Sequence, residues 1–220
     1  QNGLRPFLEK GYDILHLAFS SGLSSSCQNA VLAANELKEE FPERRIVVVD
    51  TYAASLGQGL LVHKALQLKK QGKSMEEVAK WVEDNRNHLC HLFTVDDLFH
   101  LHRGGRVSKT VAVIGTMINI KPVLHVDNAG ELKMLKTVRG RKKSLINLVD
   151  RMEDLCKGYE KENDVVFISH GDCLEDAQFV ADLVKQRLGI EHFLIDYVSP
   201  TIGAHSGPGT IALFFMGREK

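Results

Sequence analysis

The sequence predicts an α/β protein of two domains, the first built on a parallel sheet flanked by helices and the second on a mixed sheet. Three observations carry this. Short apolar, valine-rich runs alternate with helix-length amphipathic segments up to about residue 90, the pattern of βαβ units. Beyond Val95 a turn signal between two alternating runs announces an antiparallel hairpin. The 220 residues are 44% hydrophobic and 25% charged, enough to bury substantial cores.

In chain order, residues 4–10 read as the end of a helix, and "DILHLAF" (13–19) as a buried strand. Helical spacing runs from Leu23 to about Glu40, and "RIVVVDT" (45–51) is a second strand. A helix is predicted from about Leu56 to Lys70, stopping at Gly72. Ser74, with Glu77 three residues on, makes a capping box for the next helix. "LCHLFTV" (89–95) is a third strand, and the helix–strand alternation argues for mostly parallel pairing. A domain boundary is placed within 88–96, dividing the chain into 1–90 and 91–220. "DDLFHLHRGGRVSKT" reads as a short helix broken by two glycines, and "VAVIGTMINI" as an apolar helix or buried segment. "KPVLHVDNAGELKMLKTV" is the hairpin, turning at Asn128 to Gly130. A helix "RKKSLINLVDRMEDLCKGY", a strand "DVVFISHG", a helix "LEDAQFVADLVKQRLG" and a strand "EHFLIDYVS" follow. "PTIGAHSGPG" is read as a Gly/Pro loop before a last strand, "TIALFFMG".

Composition excludes several classes. Formal net charge is zero, so the basic footprint of a nucleic-acid or anionic-lipid binder is missing. No apolar run approaches the roughly 20 residues of a membrane helix. The four cysteines are scattered, with no CxxC pair, which suits a reducing cytoplasm. His88 and His91 in "HLCH" and the nearby "HLH" do not converge with metal-ligand geometry, and no metal or cofactor is expected.

Four stretches invite a chemical reading. In "HLAFSSGLSSSCQNA" (16–30) a strand ends in a run of hydroxyls before a helix. That is where an open α/β sheet binds ligands, and where backbone N–H groups favour an anion. The alternative is a capped helix N-terminus, with Ser21 or Ser24 as the cap. The hydrolase elbow G-x-S-x-G is absent, since Gly22-Leu23-Ser24-Ser25-Ser26 lacks the closing glycine. In "DTYAASLGQGLLV" (50–62), Gly57 and Gly59 fall in the first turns of a helix and point to close packing on a sheet; the dinucleotide fingerprint is incomplete. "LHRGGRVS" (101–108) sets Arg106 after two glycines, suited to a carboxylate or phosphate unless it is a solvated surface arginine. "GAHSGPGT" (203–210) sets His205 among small residues.

Taken together, "SSGLSSSCQNA", "DTYAASLGQG", "VDDLFHLHRGGRVS", "IKPVLHV", "SHGDCLEDA" and "GAHSGPG" stand in the order and spacing of the DegV family, which the chain resembles over essentially its whole length. The resemblance implies a bacterial two-domain protein, with a three-layer α/β/α first domain, that buries one long-chain fatty acid between its domains. It implies the acyl-binding subunit of a fatty acid kinase. Such a subunit presents the carboxylate to a separate ATP-dependent kinase subunit and carries the acyl phosphate towards phospholipid metabolism, without turnover of its own. It assigns the carboxylate-binding serine to Ser20 or Ser21 and sets Arg106 and His205 near the acyl head group. Ser21 is preferred over Ser20 because consecutive residues of an extended chain face opposite sides. Ile114, Met117 and Ile118 are expected to line the acyl pocket, since their run is too apolar to face water. Family members begin with a further strand and a Thr-Ser-Gln-Pro motif not seen here, so the chain is expected to be a fragment without its first βα unit. The alternative function is a serine hydrolase acting on acyl substrates, against which the missing elbow counts.

Overall fold

The computed structural model describes residues 1–114, 119–218 and 220, and only the backbone over 112–114. Met117 and Ile118, and the side chain of Ile114, called as acyl-pocket residues, therefore lie outside the described residues. After a short helix, α1 (Arg5–Glu9), strands β1 (Ile14–Ala18) and β2 (Ile46–Asp50) pair in parallel, from Ile14 opposite Ile46 to Ala18 opposite Asp50. The crossover is helix α2 (Ser26–Glu40). Ala34 and Leu37 of α2 pack with Ile46 and Leu8 on one face of this pair. On the other face, Leu15, Leu17, Val47 and Val49 meet helix α3 (Ser55–Lys70) through Leu60 and Leu61. The parallel sheet between two helical layers is what the valine-rich runs predict. Helix α4 (Met75–Asn85) opens with the expected capping box: Ser74 Oγ accepts from the Glu77 N–H at 3.2 Å, and Glu77 accepts from the Ser74 N–H at 2.8 Å.

The third strand departs from expectation. β3 (Leu89–Thr94) does not extend the parallel sheet; it lies antiparallel in a second sheet of six strands. The two successive helices, α3 and α4, carry the chain away from β2, and every residue of β3 is buried. That sheet continues with β4 (Ile120–Val126), β5 (Leu132–Arg139), β6 (Val166–His170), β7 (Phe193–Tyr197) and β8 (Ile211–Met216), in spatial order β5-β4-β3-β8-β6-β7. Only β6 and β7 pair in parallel, across helix α8 (Leu174–Leu188); the sheet is mixed, as predicted. The β4–β5 hairpin turns at Asp127–Glu131, where Asp127 Oδ1 accepts from the Ala129 and Glu131 N–H groups.

Alternation along the strands gives the sheet two apolar faces. Cys90 and Leu92 of β3, with Ile211, Leu213 and Phe215 of β8, meet α8 and α7 (Arg141–Leu155). Leu89 and Phe93, with Ala212 and Phe214, face α3 instead. Helix α3 is thus a layer shared by both sheets.

Two local expectations are corrected. "PTIGAHSGPG" is not all loop: Pro200–Ser206 forms helix α9, capped by Ser199 Oγ, which accepts from the Ile202 N–H at 3.4 Å. Serine followed by proline at the first helical position is a start signal, here masked by the glycines. Helix α2 starts at Ser26 rather than Leu23, and its N-cap, Ser25, makes no side-chain capping bond. Neither Ser21 nor Ser24 is the cap.

Gly57 explains one glycine signal. A Cβ there would meet the His91 ring, at 2.6 Å from Cδ2, and Phe214 Cδ1 at 2.8 Å. The helix reaches the second sheet only because that side chain is missing. Gly59 has its nearest such contact, Leu56 Cδ2, at 3.5 Å. Gly57→Ala is therefore expected to destabilise the fold by about 1–3 kcal/mol. Gly59→Ala should be neutral or stabilising by up to about 1 kcal/mol. Urea unfolding of both variants measures the contrast.

Candidate functional site

Between the two sheets lies a cavity of about 540 Å³, a size typical of sites for small organic ligands. Its walls come from the end of β1 (Phe19), the start of α3 (Leu56), the second sheet (Phe93, Ala212, Phe214) and α9 (Ile202). The lining is mostly apolar, with a few hydroxyls, His91, His205 and Arg106.

The segment after β1 builds one wall. The Ser20 side chain is fully buried; its Oγ donates to Gly130 O at 2.8 Å and accepts from the Gly22 N–H at 3.2 Å. A Cβ on Gly22 would stand 2.8 Å from the carbonyl oxygens of both Ala129 and Gly130. The Ser-Ser-Gly turn is thus seated on the β4–β5 turn of the other sheet. The Ser21 N–H donates to Asp50 Oδ1 at 3.2 Å. Neither Ser20 nor Ser21 is among the lining residues; Ser24 and Ser26, whose hydroxyls share a hydrogen bond at 2.8 Å, are.

Arg106 and His205 are brought together at the cavity wall. Helix α5 (Leu98–Arg103) ends in Gly104, and the His205 ring packs where a Gly104 side chain would stand, its Cε1 3.0 Å from that position. A mirror contact has the His100 ring against Gly207, a glycine at φ +79°. Arg106 Nε and Nη2 donate to Leu23 O at 3.2 and 3.0 Å, and Nη1 donates to Gly104 O. Of the five N–H donors of a guanidinium, these bonds leave two without a partner among the described residues. Leu23 and Arg106 also line a second hollow of about 590 Å³ beside β5, so their contact is a partition between it and the cavity. Helix α6 (Lys109–Ile114) follows this segment.

Further in, Ser55 Oγ donates to Ser169 Oγ at 3.0 Å, and both line the cavity. Ser55 has φ +53°, a conformation uncommon outside glycine. His91 shares its face of β3 with Phe93, as the strand pattern predicts, and both line the cavity. His88 instead stacks on Tyr159, with ring centroids 5.2 Å apart. The His91 ring is edge-on to Phe214, accepts at Nε2 from the Ala54 N–H at 3.4 Å and donates from Nδ1 to Leu89 O at 3.2 Å. Burial pushes its pKa well below the usual value, helped by the charge of Lys220, so the ring is neutral. An uncharged imidazole suits an apolar wall. Sequence reasoning missed Ser24, Ser26, Ser55, Ser169 and His91 as lining residues. The hydroxyl run drew attention to the right turn, but which hydroxyls face inward depends on how that turn docks.

The fold and cavity define a class: α/β proteins that enclose a mostly apolar cavity between a parallel and a mixed sheet. The DegV family model matches residues 3–218, and the chain belongs to the DegV family. Among curated relatives, the DegV domain-containing protein CPE0026 of Clostridium perfringens is 47% identical over 214 residues, 97% of this chain and 73% of that protein. YteA of Lactococcus lactis is 41% identical, over 98% of this chain and 74% of that one. Among solved structures, a fatty-acid-binding DegV family protein from Thermus thermophilus superposes with a TM-score of 0.84 at 29% identity, over 98% of this chain and 75% of its own. The fatty acid kinase (Fak) B3 protein of Streptococcus pneumoniae, loaded with linoleic acid, shares the fold with a TM-score of 0.85 at 24% identity, over 98% and 75% of the two chains.

The neutral His91 has a pH consequence. Below about 6.5, the ordinary histidine value, the unfolded chain binds a proton that folded His91 does not, so stability falls as pH falls. Burial lowers His16 and His125 in the same direction. Unfolding free energy measured between pH 7 and pH 5 should decline, and His91→Gln should flatten the slope by up to about 1.4 kcal/mol per pH unit. An unchanged slope would mean that folded His91 takes up its proton as readily as the unfolded chain does.

Proposed function

We propose that the cavity binds one long-chain fatty acid, its tail against Phe93, Ala212 and Phe214 and its carboxylate at the wall formed by Ser24, Ser26, Arg106 and His205. The carrying observation is that an apolar cavity contains, among its lining residues, one permanently charged side chain, Arg106, with two N–H donors to spare. A tail in grease and an anionic head at a guanidinium is the ligand this arrangement complements. The Thermus thermophilus relative, at 29% identity, is a fatty-acid-binding protein, and one from Ruminococcus gnavus, at 27%, was solved with vaccenic acid. With the chain divided near residue 90, the ligand lies between two domains.

The protein then acts as a cytoplasmic carrier that presents the carboxylate to a separate ATP-dependent kinase, which converts it to an acyl phosphate. Arg106 stands at the partition towards the second hollow, which gives a partner a side from which to approach the head group. No acid–base pair is needed on the carrier. Among the described residues the hydroxyls of Ser20, Ser24, Ser26, Ser55 and Ser169 bond to serines or backbone and none to a histidine ring, which favours a carrier over a serine hydrolase.

Native mass spectrometry of the full-length protein should show one co-purified fatty acid; a ligand-free protein that takes up no palmitate would overturn the reading. Ser24→Ala should weaken palmitate binding by about 0.5–3 kcal/mol and Ser21→Ala by less. Arg106→Ala should weaken palmitate binding within the same range, since the tail supplies most of the affinity, while lowering acyl phosphate formation with the partner kinase much further. Paired binding titrations and kinase assays distinguish these roles; loss of palmitate binding in Arg106→Ala with normal phosphorylation of residual complex would reverse them.

A further inference from the structure

Four buried side-chain polar atoms among the described residues have no hydrogen-bond partner: His63 Nε2, Thr94 Oγ1, Arg141 Nη1 and Ser206 Oγ. Only Ser206 lines the cavity. It is the last residue of α9 and 5% exposed. A buried hydroxyl is ordinarily paired, because losing water without gaining a partner is costly. The other buried hydroxyls of the lining obey this: Ser169 accepts from Ser55, and Thr210 donates to Gly207 O at 2.8 Å. Ser206 stands apart as a donor that the described residues leave unused.

Ser206 follows His205, whose ring is seated on Gly104, two residues before Arg106. It therefore belongs to the same end of the cavity as Arg106. It is also the more buried of the two α9 residues, His205 being only partly buried. Resting on the fatty-acid reading, we propose that Ser206 donates a hydrogen bond to the inner oxygen of the ligand carboxylate, leaving the other oxygen towards Arg106 and the partition. Ser206 is then a binding residue that sets which carboxylate oxygen is offered outward.

The test uses delipidated full-length protein, wild type, Ser206→Ala and Ser206→Thr, with palmitate and with methyl palmitate as the uncharged carbonyl probe. Ser206→Ala should raise the palmitate dissociation constant by about ten- to a hundredfold, the range for a lost hydrogen bond to a charged acceptor. The loss for methyl palmitate should be smaller, since a neutral carbonyl accepts more weakly. Ser206→Thr, which keeps the hydroxyl, should retain palmitate binding. Thermal unfolding without ligand supplies the control: removing an unpaired hydroxyl should leave the midpoint unchanged or higher. Wild-type palmitate binding that Ser206→Ala does not weaken would overturn the assignment alone. So would a ligand-free midpoint that falls in Ser206→Ala, which would make Ser206 a structural residue. Wild-type protein that binds no palmitate would overturn the fatty-acid reading and this assignment with it.

Discussion

The seat of the Ser20–Gly22 turn on the Asp127–Glu131 turn holds the two sheets at the spacing that makes a cavity. Ser20 spends its hydroxyl twice, donating to Gly130 O and accepting from the Gly22 N–H, in a fully buried position. Gly22 has no room for a side chain against the Ala129 and Gly130 carbonyls. Gly130 itself has φ +77°, and a Cβ on it would press on Ser20 Oγ and come within 3.2 Å of Tyr52. Glycine is required on both sides, for conformation on one and for closeness on the other. A buried hydroxyl bond between turns is directional, whereas apolar layers alone slide. The hydroxyl run that looks like a binding motif thus includes a structural lock whose chemistry is spent on the fold.

Helix α3 completes the frame from the opposite side. Its first turns touch the second sheet at Gly57, where the His91 ring takes the place of a side chain, and its later turns pack under β1 and β2. The α5–α9 corner repeats the device, with His205 on Gly104 and His100 on Gly207. Gly57 and Gly104 bring the His91 and His205 rings to the cavity wall without opening the core. Each ring is set by shape rather than by an ion pair.

Much of this was legible beforehand, and what was not has a physical cause. The parallel pair showed because β1 and β2 are short, apolar and separated by a helix of crossover length. The antiparallel setting of β3 did not show, because a strand buried on both faces carries no alternation and names no partner. Its neighbours β4 and β8 are fixed by long-range contacts. Helix α9 was hidden by Gly203 and by the glycines after it, although Ser199-Pro200 was a start signal in plain view. Arg106 and His205 were legible as site candidates through the glycines beside them, which mark close approach. Ser24, Ser26 and Ser206 were not separable from neighbouring hydroxyls, since turn docking and helix phase decide which ones face inward.

On the fatty-acid reading, the division of labour between tail and head follows from magnitudes. A C16 chain carries on the order of 14 methylenes, each worth about 0.8 kcal/mol when buried, or roughly 11 kcal/mol in all. Association costs of about 4–15 kcal/mol consume much of this. The head-group bonds, at about 0.5–3 kcal/mol each, then add a smaller share of the gross affinity than the tail and decide how the acid is oriented. An apolar tail has no direction along a cavity; it can enter either end first. Arg106, tied to Leu23 and Gly104 by part of its donor set, cannot follow a misplaced carboxylate, so its remaining donors reward one orientation only. A carrier that must hand over its cargo carboxylate-first gains more from that constraint than from a tighter grip.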